Sequence, residues 1–144
     1  MIKTMLMFEI LLKFLGQPYI YGGNTLADGG LDCSGLLLIA LKSQGIVSSN
    51  DDLTAQGIYH HLINQSHQMV DIYNLKPNDI IFWGKNETRI SHVSMAIDSW
   101  RHIESGGGNR HTKDKATAAK QKASVRIRPV RARGDLVAIV RLNI

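Results

Sequence analysis

The 144-residue chain contains a single cysteine, Cys33. One thiol excludes an internal disulfide framework and any Cys-rich zinc site. It leaves either a small buried hydrophobe or a nucleophile. Long apolar runs are also missing. The most apolar stretch, Met5 to Leu15, is broken by Glu9 and Lys13 and is too short to span a bilayer. The same interruptions make it a poor signal peptide: Lys3 gives a weak basic start, and no small-residue cleavage site follows cleanly. Such a chain is expected to be made in the cytoplasm and, if it acts elsewhere, to be carried or released. No internal repeat and no dividing linker is found, so residues 1–144 read as one domain. Its composition, 44% hydrophobic and 20% charged, is that of a globular protein able to bury a core without disulfides or metals.

Charge is unevenly placed. Residues 1–100 hold 6 Lys/Arg against 9 Asp/Glu, and residues 101–144 hold 11 against 3. A basic segment can meet a polyanion; the plainer reading is a solvated face. No aromatic residue is interleaved with these charges, as single-strand nucleic-acid binding requires, so no nucleic-acid partner is expected.

Apolar residues at Met5, Phe8, Leu11, Leu12 and Leu15 have helical spacing over 4–15, which Gly16 and Pro18 end. Residues 16–32 are turn-rich. Leu36 to Leu41 reads as a buried helix with Cys33 at its first turn, and 51–66 as a more polar helix with Asp51, Asp52 and Thr54 as capping candidates. Strands follow: Ile80 to Phe82, a hairpin of Val93 to Ile97 and Arg101 to Glu104, Ser124 to Arg128, and Leu136 to Leu142. Residues 105–123 read as a long loop or short exposed helix, the most mobile part of the chain. Helices first and strands afterwards predict an α+β fold, N-terminal helices packed on a C-terminal antiparallel sheet.

If the second helix begins near Asp32-Cys33-Ser34-Gly35, its unpaired N–H groups and dipole stabilise a thiolate on Cys33. A nucleophilic thiolate also needs an imidazole. Of six histidines, His60, His61 and His67 fall in or after the polar helix and read as surface residues, and His111 lies in the basic loop. His92 and His102 belong to the hairpin. A three-residue loop, Asp98 to Trp100, pairs Ile97 with Arg101 and puts both on one face; a two-residue loop separates them. In the first case His92 can serve as base and His102 can hold its ring. Each alone reads as an ordinary strand histidine.

Five blocks, in this order, resemble the NlpC/P60 family of cell-wall cysteine peptidases over roughly residues 12–105. They are Pro18-Tyr19-Ile20-Tyr21-Gly22-Gly23, Leu31-Asp32-Cys33-Ser34-Gly35, Leu75-Lys76-Pro77-Asn78-Asp79-Ile80-Ile81-Phe82, Ser91-His92-Val93 and His102-Ile103-Glu104-Ser105. The resemblance implies a papain-like fold and cleavage of peptidoglycan stem peptides, typically between γ-D-glutamyl and a diamino acid such as meso-diaminopimelate. By position Cys33 matches the nucleophile, His92 the base and His102 the third polar residue. Tyr19 matches a tyrosine that helps the Cys33 backbone N–H bind the oxyanion. Asp32 and Ser34 match positions meeting the substrate's free amine end, and Thr54 a position near the substrate. No cofactor or metal is implied, and Cys33 with two histidines lacks the spacing of a zinc signature.

The sequence departs from the family pattern in three places. The segment between Gly23 and Asp32 is longer, Asp52 and Leu53 stand where an Arg often precedes the Ser/Thr position, and Asn78 replaces a Gly. A bare catalytic domain without an export signal suits a phage or prophage enzyme first, and otherwise a delivered effector or an enzyme recycling wall fragments in the cytoplasm. The basic tail then favours anionic wall polymers. Two alternatives share the fold: an N-acetylmuramoyl-L-alanine amidase or acyltransferase, and a catalytically silent phage structural protein.

Overall fold

In a computed structural model, residues 2–144 are described, with side chains from Met7 onward except that of Leu26. The first helix, α1, runs Ile2–Leu12. It is shorter than the apolar spacing predicts because the chain turns at 13–16, where the Gly16 N–H donates to Val125 O at 2.9 Å. Met7 and Leu11 are buried; the Met5 side chain lies outside those described. A two-stranded ribbon, β1 (Asn24–Thr25) with β2 (Gly30–Leu31), occupies the turn-rich segment.

The buried helix α2 is Cys33–Ser43. Asp32 caps it, its carboxylate accepting from the Gly35 N–H at 2.6 Å. Leu36, Leu37, Leu38 and Leu41 are buried against the sheet, each contributing about 1.5–3 kcal/mol relative to exposure. The next helix, α3, is Ala55–Ile63 and is capped by Thr54. Asp51 and Asp52 precede the helix instead of capping it. His60 is exposed, and His61 and His67 are half-buried.

Six further strands and one further helix follow among the described residues. Strands β3 (His67–Val70), β4 (Ile80–Gly84), β5 (Ile90–Ala96), β6 (Arg101–Gly106), β7 (Ser124–Pro129) and β8 (Leu136–Leu142) form one antiparallel sheet in the order β3-β8-β4-β5-β6-β7. The helix α4, Lys115–Gln121, precedes β7. The sheet's Ile80, Phe82, Val93, Met95, Ile103 and Val140 join the apolar faces of α1, α2 and α3 in one core. This is the α+β arrangement that the sequence predicts. On the other face, Leu75, Ile81, Trp83, Ala96, Val130 and Ile139 make a smaller cluster. Bidentate contacts of Arg141 with the buried Asp79, both 2.7 Å, brace β8 to the turn before β4.

The departure at Asn78 is accommodated. Its φ of 76° is in the left-handed region, which Asn tolerates better than other side chains, and its Oδ1 accepts from the Phe8 N–H at 3.0 Å.

Within residues 105–123, expected as a long loop or a short exposed helix, α4 is such a helix, exposed except at Thr117 and Ala118, and the segment is tied to the rest of the fold. Thr112 is fully buried, its carbonyl accepts from the Tyr21 N–H at 2.7 Å, and Ala118 of α4 is buried. The basic segment is also partly neutralised: Arg126 and Arg133 pair with Glu104 and Asp135 within it, and Arg141 pairs with Asp79 outside it.

Candidate active site

Cys33 is the first residue of α2 and borders a cleft of about 350 Å³ with Tyr19, Tyr21, Asp32, Ser34, Asp52, Thr54 and Ser91. Backbone packing explains why the motif residues flanking it are glycines. A Cβ on Gly35 would lie 2.2 Å from Gly23 O, and one on Gly23 would lie 2.3 Å from Gly30 O. These approaches lock the start of α2 against the ribbon. The Asp32 N–H donates to Gly23 O at 2.8 Å. Because the Asp32 cap takes the Gly35 N–H, those of Cys33 and Ser34 have no partner within the chain among the described residues and are available at the helix start.

His92 is buried at the cleft end of β5. Its Nε2 donates to Glu104 Oε1 at 2.7 Å, so Nδ1 is the nitrogen available to Cys33. Burial pulls the imidazole's proton affinity down. Hydrogen bonds with Cys33 and Glu104, together with their negative charges, more than reverse this and raise His92 to about 9. At neutral pH the ring is therefore held as a cation beside Cys33. Burial alone raises Glu104, but the His92 hydrogen bond, the histidine charges and Arg126 hold it down at about 2. Arg126 Nε donates to Glu104 Oε2 at 2.8 Å. The result is a chain from His92 through the buried Glu104 to the half-buried Arg126, set beside Cys33, whose Sγ lies 3.9 Å from Ser91 O.

His102 does not take the place expected of it. The hairpin loop is the three-residue one, with the Ile97 N–H donating to Arg101 O at 3.0 Å, and His92 and His102 do share a face. But Ala96 pairs with His102, so His102 sits four residues along β5 from His92. Its Nδ1 lies 2.6 Å from Ser94 Oγ, which also accepts from Trp83 Nε1 at 3.0 Å. Its Nε2 is 4.0 Å from Glu104, beyond hydrogen-bond range. Burial, then the neighbouring cations, outweigh Glu104 and lower His102 to about 4, so it stays neutral. Continuing the same register by count sets Glu104 opposite Ser94, two residues from His92. That arithmetic was the available signal for Glu104.

Tyr19 lines the cleft with its ring against Gly108, where a Cβ would come within 2.3 Å. Burial first, then the charges of Cys33 and Asp32, push its phenol upward, so the hydroxyl keeps its proton to donate. Asp32 is raised by burial against its hydrogen bonds from Gly35 and Ser34. Ser34 Oγ donates to Asp32 at 3.1 Å, and Thr54 Oγ accepts from the Gly57 N–H at 3.1 Å. All three border the cleft; Asp32 and Thr54 also cap α2 and α3, and Ser34 braces the Asp32 cap. Among the described residues, no group of three or more His, Cys, Asp or Glu is placed to hold a metal.

A helix-borne cysteine facing a strand-borne histidine across an α+β core defines a papain-like architecture. The model of the NlpC/P60 family matches residues 16–132, and the chain belongs to that family. It is similar to a gamma-DL-glutamyl hydrolase of Bacillus subtilis, 29% identical over 107 residues, covering 69% of this chain and 22% of that protein. It is also similar to the probable endopeptidase YafL of Escherichia coli, 32% identical over 92 residues, covering 63% and 34%. The match thus spans between a fifth and about a third of these relatives' length. A solved NlpC/P60 family protein of Bacillus cereus is 26% identical with a TM-score of 0.65, over 92% of this chain and 38% of that one.

Proposed function

We propose that the protein is a cysteine endopeptidase of peptidoglycan stem peptides, acting at the γ-D-glutamyl–diamino acid bond. The observation that carries this reading is the buried His92, hydrogen-bonded to the buried Glu104 and set beside Cys33 at the start of α2. The names of the two relatives, a gamma-DL-glutamyl hydrolase and a probable endopeptidase, support the bond and the class.

The Cys33 thiolate forms a bond to the amide carbon, and the carbonyl electron pair moves onto oxygen. The Cys33 N–H and the Tyr19 hydroxyl donate to that oxyanion; each such donor is worth about 2.7–4 kcal/mol. As the carbon–nitrogen bond breaks, imidazolium His92 gives its proton to the leaving amine. Neutral His92 then takes a proton from water, whose oxygen attacks the thioester, and the thiolate leaves. Glu104 stabilises each imidazolium, and Asp32 with Ser34 receives the substrate's amine end.

The test is digestion of tripeptide and tetrapeptide wall fragments, with and without sugar, by wild type and Cys33→Ala, with products read by mass spectrometry. Wild-type-only release of L-Ala-D-Glu and a diamino-acid fragment supports the reading. Cleavage at the sugar–alanine bond replaces it with an amidase. No cleavage replaces it with a silent structural protein.

A further inference from the structure

The tip of the β5–β6 hairpin, 98–100, packs against two short 3-10 turns, Ile72–Asn74 and Val130–Ala132; the Val130 N–H donates to Trp100 O at 2.8 Å. Between them is a concavity of about 280 Å³ with Ile72, Pro129 and Val130 in its lining and Tyr73 and Trp100 at its sides. Tyr73 is 84% exposed and Trp100 57%. Large rings left in water beside one hollow mark a binding surface more readily than scattered ones do. Each carries a guanidinium on its face: Arg131 at 5.2 Å from the Tyr73 centroid and Arg101 at 5.0 Å from that of Trp100. Asp98 neutralises Arg101 at 2.7 Å. Arg131 has no carboxylate partner among the described residues, and nor does Arg128 just before Pro129.

We propose that this hollow binds a saccharide strand whose pyranose rings carry carboxylates. The rings offer stacking platforms to the C–H faces of a sugar, and Arg131 offers a fork to its carboxylate. An added peptide strand is disfavoured here, because Pro129 closes this end of the edge strand β7 without an N–H to donate. His92 and the start of the hairpin tip at Asp98 are separated by about 20 Å of extended chain, at about 3.3 Å per residue. The hollow is thus separate from the cleft. The choice of a wall glycan rests on the proposed function.

The chain's two tryptophans make the test direct, since Trp83 is fully buried and Trp100 is not. Fluorescence of the 144-residue chain carrying Cys33→Ala is titrated with peptide-free glycan strands, with uncharged chitotetraose and with polyglycerol phosphate. The expected result is a saturable blue shift with the glycan strands, at least tenfold weaker with chitotetraose. Tyr73→Ala and Arg131→Glu, both at exposed positions and checked by Tm, each weaken it at least tenfold. No shift at millimolar glycan, an equal response to chitotetraose, or a response to polyglycerol phosphate alone overturns the proposal. Binding is read without turnover, so failure of stem-peptide cleavage and failure of this site are separate results.

Discussion

Cys33 and His92 face each other across the cleft, but they are held in place differently. On the Cys33 side, backbone lies against backbone: Gly35 on Gly23, Gly23 on Gly30, with Asp32 closing the helix start. On the His92 side, a buried chain of charges runs through Glu104 to Arg126. The first arrangement tolerates almost no added volume. The second tolerates volume but not a lost charge. Substitutions on the Cys33 side should therefore act mainly through stability, and those on the His92 side mainly through rate and its pH dependence.

The largest expected effect is at Glu104. Glu104→Gln keeps the shape but removes the charge that holds His92 protonated, so kcat/KM on a stem peptide should fall by about 10²–10⁴. The alkaline limb of the rate, set by deprotonation of His92 near 9, should move to lower pH. His102→Gln in the same assay should change kcat/KM less than tenfold, and its cost should appear as lost stability. It removes a partner from the buried Ser94 and Trp83, worth about 1–3 kcal/mol in urea unfolding. Equal kinetic losses in the two variants would break the comparison.

Next in size is Gly35→Ala. With a Cβ 2.2 Å from Gly23 O, the helix start must shift, at about 1–3 kcal/mol of stability. Unfolding by denaturant measures this, and unchanged stability would mean that the ribbon is not locked to α2. Smallest is Asp32→Asn, which keeps a capping oxygen: stability should fall by no more than about 0.5 kcal/mol. Its KM for substrates with a free amine end should rise while KM for amine-blocked ones stays level.

The Cys33 side was legible in the sequence because its determinants are local. Turn glycines at 22–23 and 29–30 and the apolar helix after Cys33 follow one another directly in the sequence. The antiparallel sheet was legible for similar reasons, since β8 and β4 are short apolar runs bounded by turn residues. Strand β3 was not: His67 and Gln68 offer no apolar alternation, and the strand forms because the partner edge of β8 is there to pair with it. Glu104 was passed over because its role depends on a register shared across strands. Two histidines on one face looked like a sufficient pair. For residues 105–123 composition predicts a long loop or a short exposed helix, and α4 is that helix; the Tyr19 ring resting on Gly108 is a tertiary contact that composition does not reveal.

The charge relay also has a signature in pH. His92, raised above its unfolded value, stabilises the fold below about pH 6.5, and that contribution is lost as pH rises through 9. His102, lowered to about 4, opposes folding as pH falls below 6.5. The most direct measurement is a nitrogen-15 NMR titration of the histidine rings in the wild type and Glu104→Gln. The account predicts that His92 titrates near 9 and His102 near 4 in the wild type, and that His92 alone drops markedly in the variant. A His92 that titrates at or below 6.5, or that ignores the loss of Glu104, would contradict it.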